Sequence, residues 1–220
     1  VVEFGFIDSI KVNGKNSVIG EVKCRSPVHG DLLRGRDPLK IAEIYEKCGC
    51  SAISYITAKT FGGSIYALKA ICKSTNLPVL RKDFVENKDE VEKTCEAEAS
   101  ALLLIARILK EKTLEFVDLC FEHGVEPVVE VFSEEELRFA ENARVVLINN
   151  RDIFNPNDVD VGRTMKIAPK IKKTKISGSG LRKIEDLRVL RFVDAVLVGT
   201  AFMLAEDTEK IVRSFVEARL

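Results

Sequence analysis

The sequence has no excess of either charge, because 34 Lys and Arg residues balance 34 Asp and Glu. Without a basic excess there is no electrostatic reason to expect nucleic acid or an anionic membrane as a partner, and any anionic ligand has to be held by local groups. No apolar run approaches the length that crosses a bilayer, and residues 1–16 lack the charged-then-apolar order of a signal peptide. We therefore expect a cytoplasmic protein with no membrane partner. The spacing Cys48-Gly49-Cys50 has no second cysteine pair, and His29 and His123 stand at no ligand spacing from it, so no metal site is expected. Cys24, Cys72, Cys95 and Cys120 are equally scattered, and in a chain too large to need covalent staples all six cysteines read as reduced core fillers. A Gly/Ser/Pro-rich linker is also missing, so residues 1–220 read as one domain.

What is present is a regular alternation. Short aliphatic or β-branched runs at residues 18–23, 52–57, 79–82, 101–105, 127–131, 145–149, 174–177 and 195–199 read as strands. Between and after them, residues 38–48, 64–74, 88–97, 110–123, 133–142, 159–167, 183–190 and 208–219 carry the apolar spacing of helices. Asp37 before Pro38 is a helix-start signal, and Ser133 with Glu136 has the spacing of a capping box. The run Ala101-Leu102-Leu103-Leu104-Ile105 is apolar throughout, which suits a parallel sheet covered by helices. Eight such units predict an α/β fold closed into a (β/α)8 barrel.

In such barrels the chemistry gathers where strands end. Glu21 and Lys23 lie two apart on the first strand and project to the same side; Lys82 closes the third, Glu130 lies within the fifth, and Asn149 and Arg151 follow the sixth. A lone strand-end charge is often one half of a structural pair. Four ionisable groups at one mouth are harder to explain that way, since taking each ion out of water costs several kcal/mol. Ser177-Gly178-Ser179-Gly180 follows the seventh strand and Gly199-Thr200 ends the eighth. Glycine-rich loops at these two strands let backbone N–H groups approach a phosphate closely.

At these motifs the chain resembles the indole-3-glycerol phosphate synthase family. The resemblance rests on Glu21-Val22-Lys23-Cys24-Arg25-Ser26-Pro27, Pro78-Val79-Leu80-Arg81-Lys82-Asp83-Phe84 and Ile148-Asn149-Asn150-Arg151-Asp152, with weaker pieces at Phe61-Gly62-Gly63-Ser64 and Val129-Glu130-Val131. It implies a cofactor-free ring closure of 1-(2-carboxyphenylamino)-1-deoxyribulose 5-phosphate, with loss of carbon dioxide and water. Lys82 would be the general acid, its pKa lowered by burial and cationic company. Lys23 would hold the substrate carboxylate or assist dehydration, Glu21 and Glu130 would be the bases and positioners, and Asn149 and Arg151 would orient polar substrate groups. Ser26, Ser179, Gly180, Gly199 and Thr200 would hold phosphate, while Pro27, Phe84 and Leu103 would line the substrate. The implied partner is a phosphorylated small molecule, and the chain is expected to be a monomer or weak homo-oligomer.

Two departures from the family pattern stand out. Gly178 occupies the place where the family carries Glu before Ser-Gly, and only some seventeen residues precede the first strand where relatives carry a longer helical extension over the barrel mouth. The alternatives are a phosphate-ligand-binding barrel impaired by the loss of that carboxylate, and phosphoribosylanthranilate isomerase, a neighbouring barrel. The isomerase would need a catalytic Cys ending the first strand and an Asp ending the sixth, where this chain has Lys23 and Asn149, with Cys24 and Asp152 close beside them.

Overall fold

The computed structural model describes residues 5–11 and 15–219. Part of the opening segment read above for a targeting signal lies outside the described residues. Among those described, no helix is long and apolar enough to cross a membrane.

Eight strands, β1 Val18–Val22, β2 Ala52–Ile56, β3 Val79–Lys82, β4 Ala101–Ile105, β5 Glu126–Val131, β6 Val145–Asn149, β7 Thr174–Gly178 and β8 Ala195–Val198, form a closed barrel in sequence order. Every pairing is parallel, and closure is made by β1 against β8, with Gly20 opposite Val198. The fold is a (β/α)8 barrel, as the alternation predicts.

The period-two alternation of the strands divides the core into two layers. Ile19, Leu80, Leu103, Val128, Leu147, Ile176 and Leu197 fill the barrel interior. Their neighbours, such as Val18, Ile53, Leu104, Val129 and Val196, meet the outer helices. The helix Pro38–Lys47 starts as expected, with the Asp37 carboxylate accepting from Leu39 N. It packs so close to β1 that a Cβ on Gly20 would stand 2.4 Å from the Tyr45 ring, which is why this strand position is glycine. The helix Gly5–Ile10 places Phe6 and Ile10, both fully buried, in the interior cluster beside Ala52, Ala101, Val145 and Ala195. These partners lie at or near strand starts. This helix therefore fills the end of the barrel opposite the strand C-termini.

Several helices are shorter or tighter than their periodicity suggests. Residues 133–142 and 183–190 give the 3-10 segments Glu135–Ala140 and Ile184–Arg191. Residues 159–167 give a helix only over Gly162–Ile167, and residues 110–123 start at Lys112 after a break at Lys110, whose φ is +51°. The capping box at Ser133 does not form: the Glu136 carboxylate instead accepts from Phe132 N at 2.7 Å and from Arg107 Nε at 2.9 Å. A charge-assisted tertiary bond has displaced the local one. Cys95 is exposed, so the core-filler reading fails for it.

Candidate active site

The C-terminal ends of the strands surround a cavity of about 320 Å³. The residues to which the family resemblance gives a site role line it: Glu21, Lys23, Ser26, Pro27, Lys82, Phe84, Leu103, Glu130, Asn149, Arg151, Ser179, Gly180, Gly199 and Thr200. Alternation explains the convergence. Glu21, Lys82, Glu130 and Asn149 stand in phase with the interior residues beneath them, one layer nearer the mouth.

Glu21, Lys23 and Lys82 form one connected cluster. Lys82 Nζ donates to Glu21 Oε2 at 3.2 Å, and Lys23 Nζ lies 3.5 Å from Glu21 Oε1. Lys23 Nζ also donates to Thr200 Oγ1 at 3.0 Å, so it joins the acid–base cluster to the β8 loop. Across the cavity, Asn149 Nδ2 donates to Glu130 Oε1 at 2.9 Å, and Asn149 Oδ1 accepts from Arg151 N at 3.0 Å.

The two carboxyls experience opposite fields. Burial pushes Glu21 up, but the Lys82 and Lys23 charges and hydrogen bonds outweigh it and hold the carboxyl below its usual value. Burial also pushes Glu130 up; Lys82 and Asn149 offset this only in part, and Glu21 and Glu136 add to it, so Glu130 sits above its usual value. Two carboxyls driven apart by their surroundings mark a division of acid–base roles. For Lys82 the structure corrects the expectation of a lowered pKa. Burial acts in that direction, but the charges of Glu21 and Glu130 and the bond to Glu21 outweigh it, and the net shift is upward. Its near company is anionic, so the ammonium is held protonated, and the same carboxylates that stabilise it weaken it as an acid.

Two glycine-containing loops, after β7 and after β8, also line the cavity. Ser179 and Gly180 follow β7 with φ of +68° and +79°, and a Cβ on Gly180 would meet Val159 at 2.8 Å. Gly199 precedes the short helix Thr200–Leu204. A Cβ there would stand 2.3 Å from Glu21 Oε1, so glycine at 199 also makes room for the Glu21 carboxylate. Phe84, 47% exposed, stacks on Phe61 with centroids 6.3 Å apart and forms an apolar rim.

Some contributors escaped the sequence reading. Asn150, fully buried, donates to Ser177 Oγ at 3.0 Å and to Ser179 O at 3.1 Å, and its Oδ1 accepts from Thr164 Oγ1 at 2.8 Å. It anchors the left-handed Ser179-Gly180 turn from below. Its place inside the Asn149-Asn150-Arg151 motif was the available signal. Arg182 also lines the cavity, and after burial its charge is the main influence that lowers Arg151; nothing in its sequence surroundings marked it. Of the residues that the isomerase alternative invokes, Cys24 faces the outer layer, 3.8 Å from Tyr55 Oη, whereas Asp152 lines the cavity and pairs with Arg107 at 3.0 Å.

Comparison with known proteins bears on the same site. A family model described as indole-3-glycerol phosphate synthase matches residues 3–215. The chain is 51% identical to the indole-3-glycerol phosphate synthase of Pyrococcus furiosus, with 100% of both chains covered. It is 58% identical to the tryptophan biosynthesis protein TrpCD of Archaeoglobus fulgidus over 97% of its own length, and spans 40% of that longer protein. Among solved structures, the N-acetylmannosamine-6-phosphate 2-epimerase of Clostridium perfringens superposes with a TM-score of 0.67 at 17% identity, covering 85% of this chain and 87% of that one. That likeness speaks to the barrel alone. Family model, full-length relatives and the cavity's residues agree, and the chain belongs to the indole-3-glycerol phosphate synthase family.

Proposed function

We propose that the chain acts as one catalytic domain on 1-(2-carboxyphenylamino)-1-deoxyribulose 5-phosphate, closing the indole ring with loss of carbon dioxide and water. The observation that carries the reading is the single cavity in which Lys82, Glu21, Lys23 and Glu130 meet beside the Ser179-Gly180 and Gly199-Thr200 loops. The phosphate sits against these loops, where backbone N–H groups and Thr200 hold it without a net positive protein. Ser26 closes that end, and the aromatic ring lies between Leu103, Pro27 and the Phe84 rim.

The chemistry then follows from proton positions. The ring carbon bearing the carboxylate attacks the ketone carbon, and Lys82 protonates the ketone oxygen as the bond forms. The bond to the carboxylate breaks, carbon dioxide leaves, and its electron pair restores the aromatic ring. Lys23 supplies the proton with which the new hydroxyl departs as water, and Glu130 accepts the proton from the adjacent carbon to complete the double bond. Glu21 holds both ammonium groups in place. Arg151 and Asn149 orient the carboxylate and hydroxyl groups. No step calls for a cofactor. We place the reaction in the cytoplasm and expect a monomer or weak homo-oligomer.

The test is turnover of the deoxyribulose phosphate substrate, followed by indole fluorescence. Steady formation of product supports the reading. Binding of the substrate without turnover would instead favour the impaired barrel, with Gly178 as the cause.

A further inference from the structure

Beside Glu130 the site opens into a second, small cavity of about 10 Å³, lined by Arg107, Phe132 and Glu136 together with Glu130, Asn149 and Arg151. Arg107 lies just past β4. It donates through Nε to Glu136 Oε1 at 2.9 Å and through Nη1 to Asp152 Oδ1 at 3.0 Å. Its guanidinium stands 4.0 Å from the Phe132 ring centroid and 5.6 Å from that of Phe154. The other Glu136 oxygen accepts from Phe132 N. One side chain thus ties the short helix Ala106–Leu109 after β4 to the segments after β5 and β6, the strands that carry Glu130 and Asn149.

We propose that Arg107 and Glu136 are a matched pair of positioning residues for Glu130, holding its loop surroundings in place and balancing each other's charge beside its carboxylate. Neither residue belongs to the acid–base cluster, and the idea rests on the reading of Glu130 as the final proton acceptor. The charged groups around Glu130 are Lys82 from β3, Glu21 from β1 with Lys23 beyond it, Arg151 after β6, and the Arg107–Glu136 pair with Asp152. Glu136 is among the groups that push Glu130 upward. Its paired guanidinium limits that effect only while both are present, because opposite charges in contact cancel at a distance whereas a lone one does not.

The two halves of the pair therefore make opposite demands on the pH profile. Glu136→Gln leaves Arg107 balanced by Asp152 alone, removes one negative charge from beside Glu130 and moves the acid limb of kcat to lower pH. Arg107→Met leaves Glu136 uncompensated and moves it to higher pH, while Arg107→Lys restores the wild-type limb. Thermal unfolding of each full-length variant checks that the barrel is intact. Loss of kcat in Glu136→Gln and Arg107→Met with no movement of the limb, or with movement in one shared direction, overturns the proposal and leaves a merely structural staple. Glu130→Gln separates this from the underlying reading: retained turnover in that variant removes Glu130 from catalysis, whatever the pair does. If Arg107→Met does not fold, Glu136→Gln and Arg107→Lys still decide, because a limb that stays fixed in Glu136→Gln overturns the proposal alone.

Discussion

Replacing Gly199 by alanine puts a methyl carbon 2.3 Å from Glu21 Oε1, 3.0 Å from Cδ and 3.1 Å from Cβ. The first contact is far inside van der Waals range, and the third involves an atom fixed to the strand, so a rotation of the carboxylate tip alone does not relieve the crowding. Glu21 has to swing away, which lengthens its contacts of 3.2 Å to Lys82 and 3.5 Å to Lys23. Overpacking of this kind costs about 1–3 kcal/mol of stability, which leaves a barrel of this size folded. A displacement of about 1 Å in a positioned catalytic group costs roughly 10²-fold in rate, and the acid loses the carboxylate that holds it. We expect Gly199→Ala to lower kcat by about that factor in the fluorescence assay, with a smaller rise in KM. A large rise in KM with kcat unchanged would refute the steric argument and assign Gly199 to the phosphate cradle alone.

Three further expectations follow from the same geometry. Asn150→Ala removes the bond to Ser179 O and leaves the Thr164 and Ser177 hydroxyls bonded only to each other, costing about 1–3 kcal/mol for a buried group left unpaired; the substrate KM should rise more than kcat falls, and unchanged KM would show that the Ser179-Gly180 turn holds itself. Gly178→Glu adds a Cβ 3.3 Å from Leu147 Cδ2, a flexible partner, so turnover should be kept or raised, and a clear loss would show that the β7 loop is built around glycine. For stability against pH the two carboxyls work in opposite senses. Glu21 has a lowered folded-state pKa, so its contribution is present above the unfolded value and is lost as pH falls through the folded one; Glu130 has a raised pKa, so its ionisation opposes folding as pH rises through the folded-state value. Chemical denaturation should then find Glu21→Gln destabilised by about 3–5 kcal/mol at neutral pH, as for a broken buried pair, and Glu130→Gln as stable as wild type or more so. The same ordering in both variants would contradict the assigned fields.

The barrel was legible because parallel strands buried on both faces write themselves as unbroken apolar runs, as at Ala101–Ile105. The interior charges were legible for the related reason that Glu21, Lys82 and Glu130 interrupt such runs near their ends, where only the mouth can receive them. Helix detail was less accessible. Residues 133–142 carry a helical pattern and a cap signal, yet Glu136 is taken by Arg107, a partner 29 positions away that no local window contains. The upward shift of Lys82 depended likewise on Glu21, 61 positions distant and across β2, and on the balance between burial and two carboxylates. Asn150 and Arg182 sit on loops, where no periodicity tells an anchoring side chain from a solvated one.

The account turns on Lys82 as the proton donor at the centre of the buried cluster. The most direct measurement is kcat of Lys82→Ala beside its affinity for indole-3-glycerol phosphate and its thermal unfolding. General-acid loss should lower kcat by about 10²–10⁴-fold, with the fold intact and product binding changed far less. A folded variant that turns over within a few-fold of wild type would contradict it.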